Sequence, residues 1–169
     1  LVNNAGVTDF TPFEEITDEL WDFVYAVNVR GPMLCAQAVL PDMKAAKWGR
    51  IVNISSSSAQ TGVGSMIPYS SSKGAIITMT RSMAQAFGPH AVTVNTLPPR
   101  TVYGTIMSEA NRDRSPRPLE EMMNSIPVRR TGEVSDIANG CAYLCSDGAG
   151  YVTGQILGTL AEADDAVLN

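Results

Sequence analysis

Arg50–Ser55 (RIVNIS) and Val92–Leu97 (VTVNTL) are short runs dominated by β-branched residues, each preceded by a long helical pattern. Short runs of this kind suit strands covered on both faces, as in parallel sheets with helices packed against them. The rest of the chain continues the alternation. Leu1–Asn3 reads as the tail of an earlier strand, broken by Ala5-Gly6. Thr17 is placed to cap a helix whose first residues, Asp18 and Glu19, suit its positive end. Leu20, Val24, Val27, Gly31, Leu34 and Ala38 recur at steps of four and three, one helix face, and Gly31-Pro32 predicts a kink in it. Tyr69–Phe87 is a second helix, closed by Gly88-Pro89. Glu133–Cys145 reads as a helix and Gly154–Leu160 as a last strand, followed by an acidic tail with Glu162, Asp164 and Asp165. The expected fold class is α/β with a doubly wound parallel sheet, or the C-terminal two thirds of one. Residues 1–169 are expected to form a single, partial domain, with a loop-rich segment over 98–128 that suits a substrate site.

Composition narrows the function classes. Hydrophobic residues are 44% and charged residues 17%, which argues for a packed core and against disorder. Net charge is −5, and the densest basic stretch, Arg112–Arg117, is a short polar loop, so nucleic acid is not an expected partner. No apolar run approaches the length of a membrane span and no signal peptide is recognised, so no membrane association is expected. Cys35, Cys141 and Cys145 are not spaced as metal pairs. They read as buried helical thiols in a reducing compartment, with no metal expected and a cytoplasmic location.

The chemistry concentrates in Ile51–Ala75. Tyr69 and Lys73 stand four residues apart, so on a helix they share a face. A nearby ammonium draws down the pKa of a phenol and makes it a usable acid/base at neutral pH. The bare pair also fits a tyrosine packed over a lysine stem on a solvated face. Ser56 lies just past the end of the second strand, where ligands bind in open parallel sheets. A hydroxyl there can hold a carbonyl oxygen while the phenol donates its proton. Asn28 is a polar residue in an apolar helical stripe and needs a partner. Ser55, Ser57 and Ser58 read as a polar turn. His90, the single histidine, reads as a surface connector residue, which leaves a Ser-His-Asp hydrolase without its base. Trp21 and Trp48 read as packing residues. Met107, Met122 and Met123 suit either an apolar pocket lining or a loosely packed lid.

At this point the sequence resembles the short-chain dehydrogenases/reductases. LVNNAG resembles that family's Asn-Asn-Ala-Gly strand end, and WDFVYAVNVRGPM the helix carrying its asparagine. GRIVNISS followed by Tyr69-Ser70-Ser71-Ser72-Lys73 resembles its serine and Tyr-x-x-x-Lys. VTVNTLPP, IPVRRTGEVSDIA and YVTGQ resemble its later elements, in the same order. The resemblance implies a Rossmann-type sheet and an NAD- or NADP-dependent interconversion of a secondary alcohol and a ketone. It implies catalytic roles for Asn28, Ser56, Tyr69 and Lys73. Tyr69 would be the general acid/base, Lys73 would lower its pKa and bond the nicotinamide ribose, Ser56 would orient the substrate oxygen, and Asn28 would hold a relay water. Asn3, Ala5, Gly6, Ile54, Pro99 and Thr105, with Tyr69 and Lys73, would line the cofactor. A 3-oxoacyl thioester, a sugar or polyol, or a small ketone would be the substrate. A homodimer or homotetramer through Thr17–Ala46 and Tyr69–Phe87 would be the assembly.

Three departures accompany the resemblance. No G-x-x-x-G-x-G phosphate loop occurs, Arg100 follows Pro98-Pro99 where the family has glycine, and the end reads GQILGTLAEADD. The alternative reading is accordingly a non-catalytic fragment of such an enzyme. In the family's strand order the LVNNAG strand lies mid-sheet, so these 169 residues alone would expose an apolar strand edge. Expressed by themselves, they should be poorly soluble or pair through that edge. Analytical ultracentrifugation showing a monodisperse, cooperatively folding monomer would contradict this.

Overall fold

The computed structural model describes residues 1–100, 102–111 and 118–158. Three parallel strands, β1 (Val2–Asn3), β2 (Gly49–Ile54) and β3 (Val92–Leu97), lie in that order. Val2 pairs with Val52, and β2 runs beside β3 from Gly49↔Val92 to Ile54↔Leu97. This is the α/β parallel sheet expected from the alternation. One side of β1 has no strand neighbour among the described residues, and Val2 is 46% exposed.

Period-two alternation sends successive side chains to opposite faces. Ile51, Val92 and Val94 face one way and pack with Ala36 of α2 (Gly31–Ala46) and Ala84 of α4 (Ile67–Phe87). Val52 and Leu97 face the other way and pack with Leu144 of α7 (Val134–Cys145). The sheet is therefore covered on both sides, which is why its strands need no polar stripe. Their polar residues are bonded instead. Asn3 Nδ2 donates to Asn53 Oδ1 at 2.8 Å, and Asn53 Nδ2 donates to Thr80 Oγ1 at 2.9 Å, a ladder from β1 through β2 to α4.

Thr17 caps α1 (Asp18–Tyr25) as its sequence position predicts, accepting the Leu20 N–H at 3.2 Å. The expected kink at Gly31-Pro32 takes another form. Pro32 has no N–H to return to the preceding turn, and residues Ala26–Arg30 form a π turn in which Gly31 N–H reaches back to Ala26. The extra residue in that turn rotates the helix that follows. The buried positions are Val24, Asn28, Pro32 and Ala36, at steps of four, while Leu34 and Ala38 of the predicted stripe face solvent. Joined through the π turn, Asp18–Ala46 is long and apolar enough by length and composition to cross a membrane, which the reading by apolar runs missed.

Other expectations change in detail. Glu133 caps α7 through a capping box with Asp136. The strand expected over Gly154–Leu160 is reduced to a bridge between Thr96 and Ile156. Gly154 takes φ +71°, which interrupts an extended run; Gly154 N–H still bonds Val94 O and Thr96 bonds Gln155 O and Leu157 N–H, while the Asn95 amide adds bonds to Val152 O and Gln155 N–H. The loop-rich segment contains α5 (Ile106–Asn111) and α6 (Leu119–Ser125), with α3 (Ser58–Thr61) a further short helix earlier in the chain. Arg112–Arg117, Leu160, the acidic tail and the side chain of Met122 lie outside the described residues. Cys35 is exposed and Cys141 and Cys145 are half-buried, because α2 turns Cys35 away from the sheet. Trp21 and Trp48 are 37% and 49% exposed; Trp21 stacks on Tyr25, and Trp48 lies against Arg50. His90 is exposed, as expected.

Asn53 is 1% exposed and serves two buried partners. Asn53→Ala should lower the urea unfolding free energy by roughly 2–3 kcal/mol, because it leaves the Thr80 hydroxyl and one Asn3 amide hydrogen unpaired.

Candidate active site

All three strands end at one edge of the sheet, and the loops that leave them, Asn4–Gly6, Ser55–Ser58 and Pro98–Arg100, gather there. The loops are tied together: Ser55 N–H bonds Leu97 O at 2.8 Å and Ser57 N–H bonds Pro99 O at 3.1 Å. Helix α4 starts over this edge, with Pro68 in its first turn, where a missing N–H costs nothing. Tyr69 and Lys73 follow on its inner face, 8% and 4% exposed. Burial excludes the solvated-face reading of the pair.

Lys73 reaches under Tyr69 to the strand end. Its Nζ donates to Ile54 O at 2.8 Å and lies 5.7 Å from the Tyr69 ring centroid. Gly6 passes close by: a Cβ there would stand 3.2 Å from Lys73 Nζ and 3.4 Å from Asn28 Oδ1. Asn28, 1% exposed in the π turn, clamps the next residue. Its Oδ1 accepts Val7 N–H and its Nδ2 donates to Val7 O, both at 2.9 Å, and Nδ2 also donates to Ser72 Oγ at 3.0 Å. Ser72 Oγ in turn donates to Tyr69 O at 2.7 Å. Ser56 Oγ accepts from Ser58 N–H at 3.2 Å and from Ser58 Oγ at 3.0 Å, and its hydroxyl lies close enough to the Tyr69 phenol to favour the ionised form.

The electrostatics follow from burial. It pushes the Tyr69 phenol above its ordinary pKa, with the Ser56 hydroxyl pulling against it. It draws Lys73 from the ordinary 10.5 down to about 8. The expectation that Lys73 lowers the Tyr69 pKa is not met in this structure. The Lys73 ammonium is committed to Ile54 O, and the group opposing the upward shift is Ser56.

The structure thus brings together Gly6, Asn28, Ile54, Ser56, Tyr69 and Lys73, and places Pro99 against the serine turn. Ala5 sits exposed in the loop after β1. Asn3 commits its side-chain amide to Asn53, so its part is in the sheet ladder. Thr105 caps α5: its Oγ1 accepts Ser108 N–H and its own N–H donates to Ser108 Oγ, both at 3.0 Å. Arg100 is half-buried beside Pro99, and the loop keeps its bond to Ser57 through Pro99. Sequence reasoning missed Ser55, Ser72 and Val7. Ser55, read as part of a polar turn, donates to Lys73 O at 2.8 Å. The signal for both serines was their position, one beside Ser56 and one beside Lys73.

A family model described as enoyl-(acyl carrier protein) reductase matches residues 1–159. A crystal structure described as a short-chain alcohol dehydrogenase of Sinorhizobium meliloti 1021 superimposes with a TM-score of 0.86 and 33% identity, covering 95% of this chain and 62% of that one. The chain belongs to the short-chain dehydrogenase/reductase family. It is 36% identical over 157 residues to (2S)-[(R)-hydroxy(phenyl)methyl]succinyl-CoA dehydrogenase subunit BbsD of Thauera aromatica, covering 93% of this chain and 61% of the relative. It is 34% identical to 3-oxoacyl-[acyl-carrier-protein] reductase FabG of Staphylococcus epidermidis, covering 93% of this chain and 63% of the relative. A gluconate 5-dehydrogenase of Burkholderia cenocepacia, solved with NADP and tartrate, superimposes with a TM-score of 0.87 at 28% identity, covering 95% and 62%. The chain spans about three-fifths of the length of the curated relatives it matches.

For this dehydrogenase/reductase chain the buried lysine predicts a pH signature. Below pH 8 Lys73 is charged in both folded and unfolded chains. From about 8 to about 10 the unfolded chain retains a proton that the folded chain has released, so folding stability rises with pH. Chemical denaturation across that window should show this rise relative to Lys73→Met, which cannot show it.

Proposed function

We propose that this chain carries the proton-handling half of an NAD(P)-dependent oxidoreductase that interconverts a secondary alcohol and a ketone. The observation that supports it is the buried Tyr69–Lys73 pair at the strand ends, with the Ser56 hydroxyl beside the phenol. When bound, the nicotinamide supplies or accepts a hydride at carbon. The residues present fit its ribose end. Gly6 keeps the approach to Lys73 Nζ clear, where a Cβ would stand at 3.2 Å, and Lys73 brings three ammonium hydrogens to the strand end. Ile54, Pro99 and the Tyr69 ring border the same edge, and no glycine-rich phosphate loop is in the sequence.

In the reducing direction Ser56 orients the substrate carbonyl oxygen and Tyr69 donates the phenolic proton to it. In the oxidising direction the phenolate accepts the hydroxyl proton. The Lys73 ammonium stabilises that phenolate once it turns from Ile54 O toward the ribose and phenol. Asn28 acts from a distance: it fixes Val7, and so the Gly6 turn beside Lys73. The substrate would be a 3-oxoacyl thioester, a sugar or polyol, or a small ketone, and Met107 and Met123, both half-buried, suit an apolar lining.

Assembly and location belong to the same proposal. Trp21, Phe23 and Leu34 are exposed on the outer side of Asp18–Ala46, which supports pairing of that helix in a homodimer or homotetramer. The inner side of the same helix packs Ala36 on the sheet and bonds Asn28 to α4, which supports a core helix and no membrane contact. Three free cysteines support the cytoplasm. The alternative reading is a chain that does not bind the cofactor.

Fluorescence titration with NADH and NADPH separates the two readings: saturable binding is expected, and its absence favours the non-catalytic one. Tyr69→Phe should lower kcat by at least about 100-fold and leave cofactor binding nearly intact. Retained turnover in Tyr69→Phe ends the acid/base assignment.

A further inference from the structure

Three consecutive residues at the end of β2 each grip α4. Ile54 offers its carbonyl to Lys73 Nζ at 2.8 Å, Ser55 donates its hydroxyl to Lys73 O at 2.8 Å, and the Ser56 hydroxyl lies close enough to the Tyr69 phenol to favour its ionised form. The outer two touch the side chains that would do the chemistry. Ser55 touches only backbone, yet it is the deepest of the three at 2% exposure, while Ile54 and Ser56 are half-buried.

Its orientation follows from register. Residues i and i+2 of a strand share a face. Ile51 packs beside Ala84, and Asn53 donates to Thr80, so the next position on that face, Ser55, also meets α4. The strand and helix run antiparallel, with Asn53 opposite Thr80 and Ser55 opposite Lys73. Ser55 N–H is meanwhile held by Leu97 O at 2.8 Å. One residue therefore joins β3, β2 and α4. A carbonyl inside a helix already serves the N–H four residues on, so the bond on Lys73 O is additional to what the helix requires.

We infer that Ser55 is a positioning residue: its bond to Lys73 O sets the seat of α4 on β2 and thereby the placement of the Tyr69 phenol and the Lys73 ammonium against the end of β2. The consequence for turnover rests on the oxidoreductase reading; the geometric part does not. The groups placed against the phenol are Lys73 from its own helix and Ser56 from the strand end. Loosening the seat withdraws Ser56 and makes the phenol a weaker acid.

The test compares Ser55→Thr, which keeps the hydroxyl, with Ser55→Val, which has the same shape without it. Ser55→Ala serves as a second hydroxyl-free variant should the valine not fold. Ultraviolet absorption reads the Tyr69 phenolate, with the same variant carrying Tyr69→Phe subtracted, at the highest pH where circular dichroism shows the fold intact. Ser55→Val should lower the phenolate-to-phenol ratio by about threefold, half a pKa unit, with Ser55→Thr close to the native chain. In the full chain, the kcat of Ser55→Val for secondary alcohol oxidation should fall by about tenfold and its pH limb move upward, with KM little changed. A native phenolate ratio in Ser55→Val and Ser55→Ala, whatever their Tm, overturns the inference, and so does a Ser55→Thr that behaves like Ser55→Val. The expected loss of phenolate in a chain that neither binds NADH or NADPH nor turns over alcohol supports the role of Ser55 and overturns the oxidoreductase reading instead.

Discussion

The ammonium of Lys73, buried at 4% exposure against the carbonyl of Ile54, is the contact on which the candidate site depends. A cation is expensive to remove from water unless it is bonded, and here burial has drawn its pKa to about 8. The carbonyl that receives it lies where β2 ends, in Ile54, whose pairing with Leu97 is the last with β3. The lysine is thus held by the place where a parallel ladder runs out. A parallel sheet brings all such ends to one edge, so the same topology that buries the strands also gathers the loops.

Polar groups are drawn into this edge in a linked series. Val7 is held by Asn28, Asn28 by Ser72, and Ser72 by the Tyr69 carbonyl. On the other flank, Ser55 ties Lys73 O to β2, and Ser57 ties the serine turn to Pro99. Each bond satisfies a buried donor or acceptor that would otherwise destabilise the fold. Together they restrict where Tyr69 and Lys73 can stand. The geometry of the candidate site and the satisfaction of the core are here served by the same hydrogen bonds.

The π turn shows how a local chemical fact spreads through the fold. Pro32 lacks an N–H, the helix responds with one wide turn, and that turn sets Asn28 facing Val7 and α4. A stripe read at 3.6 residues per turn puts Leu34 and Ala38 inward; the wide turn sends them outward. The proline was plain in the sequence. That the interruption would be a π turn, with Asn28 inside it bonded to Val7 and Ser72, no local pattern reveals.

By itself, the sequence determined the strands, the helices that cover them, the Thr17 cap and the identity of Tyr69, Lys73, Ser56 and Asn28 as the polar residues at the sheet's edge. The elements and the cap follow from spacing and residue type, which are local properties; the four site residues follow from the resemblance to a known family. Only the tertiary structure decided that Lys73 bonds Ile54 O and leaves the Tyr69 phenol raised by burial, that Asn3 serves the sheet through Asn53, and that Thr105 caps a helix. It alone turned Ser55 and Ser72 from turn and helix serines into bonded parts of the site. The reason is physical: a buried polar atom takes whichever partner the packing brings within about 3 Å, and that partner is tens of residues away in the chain.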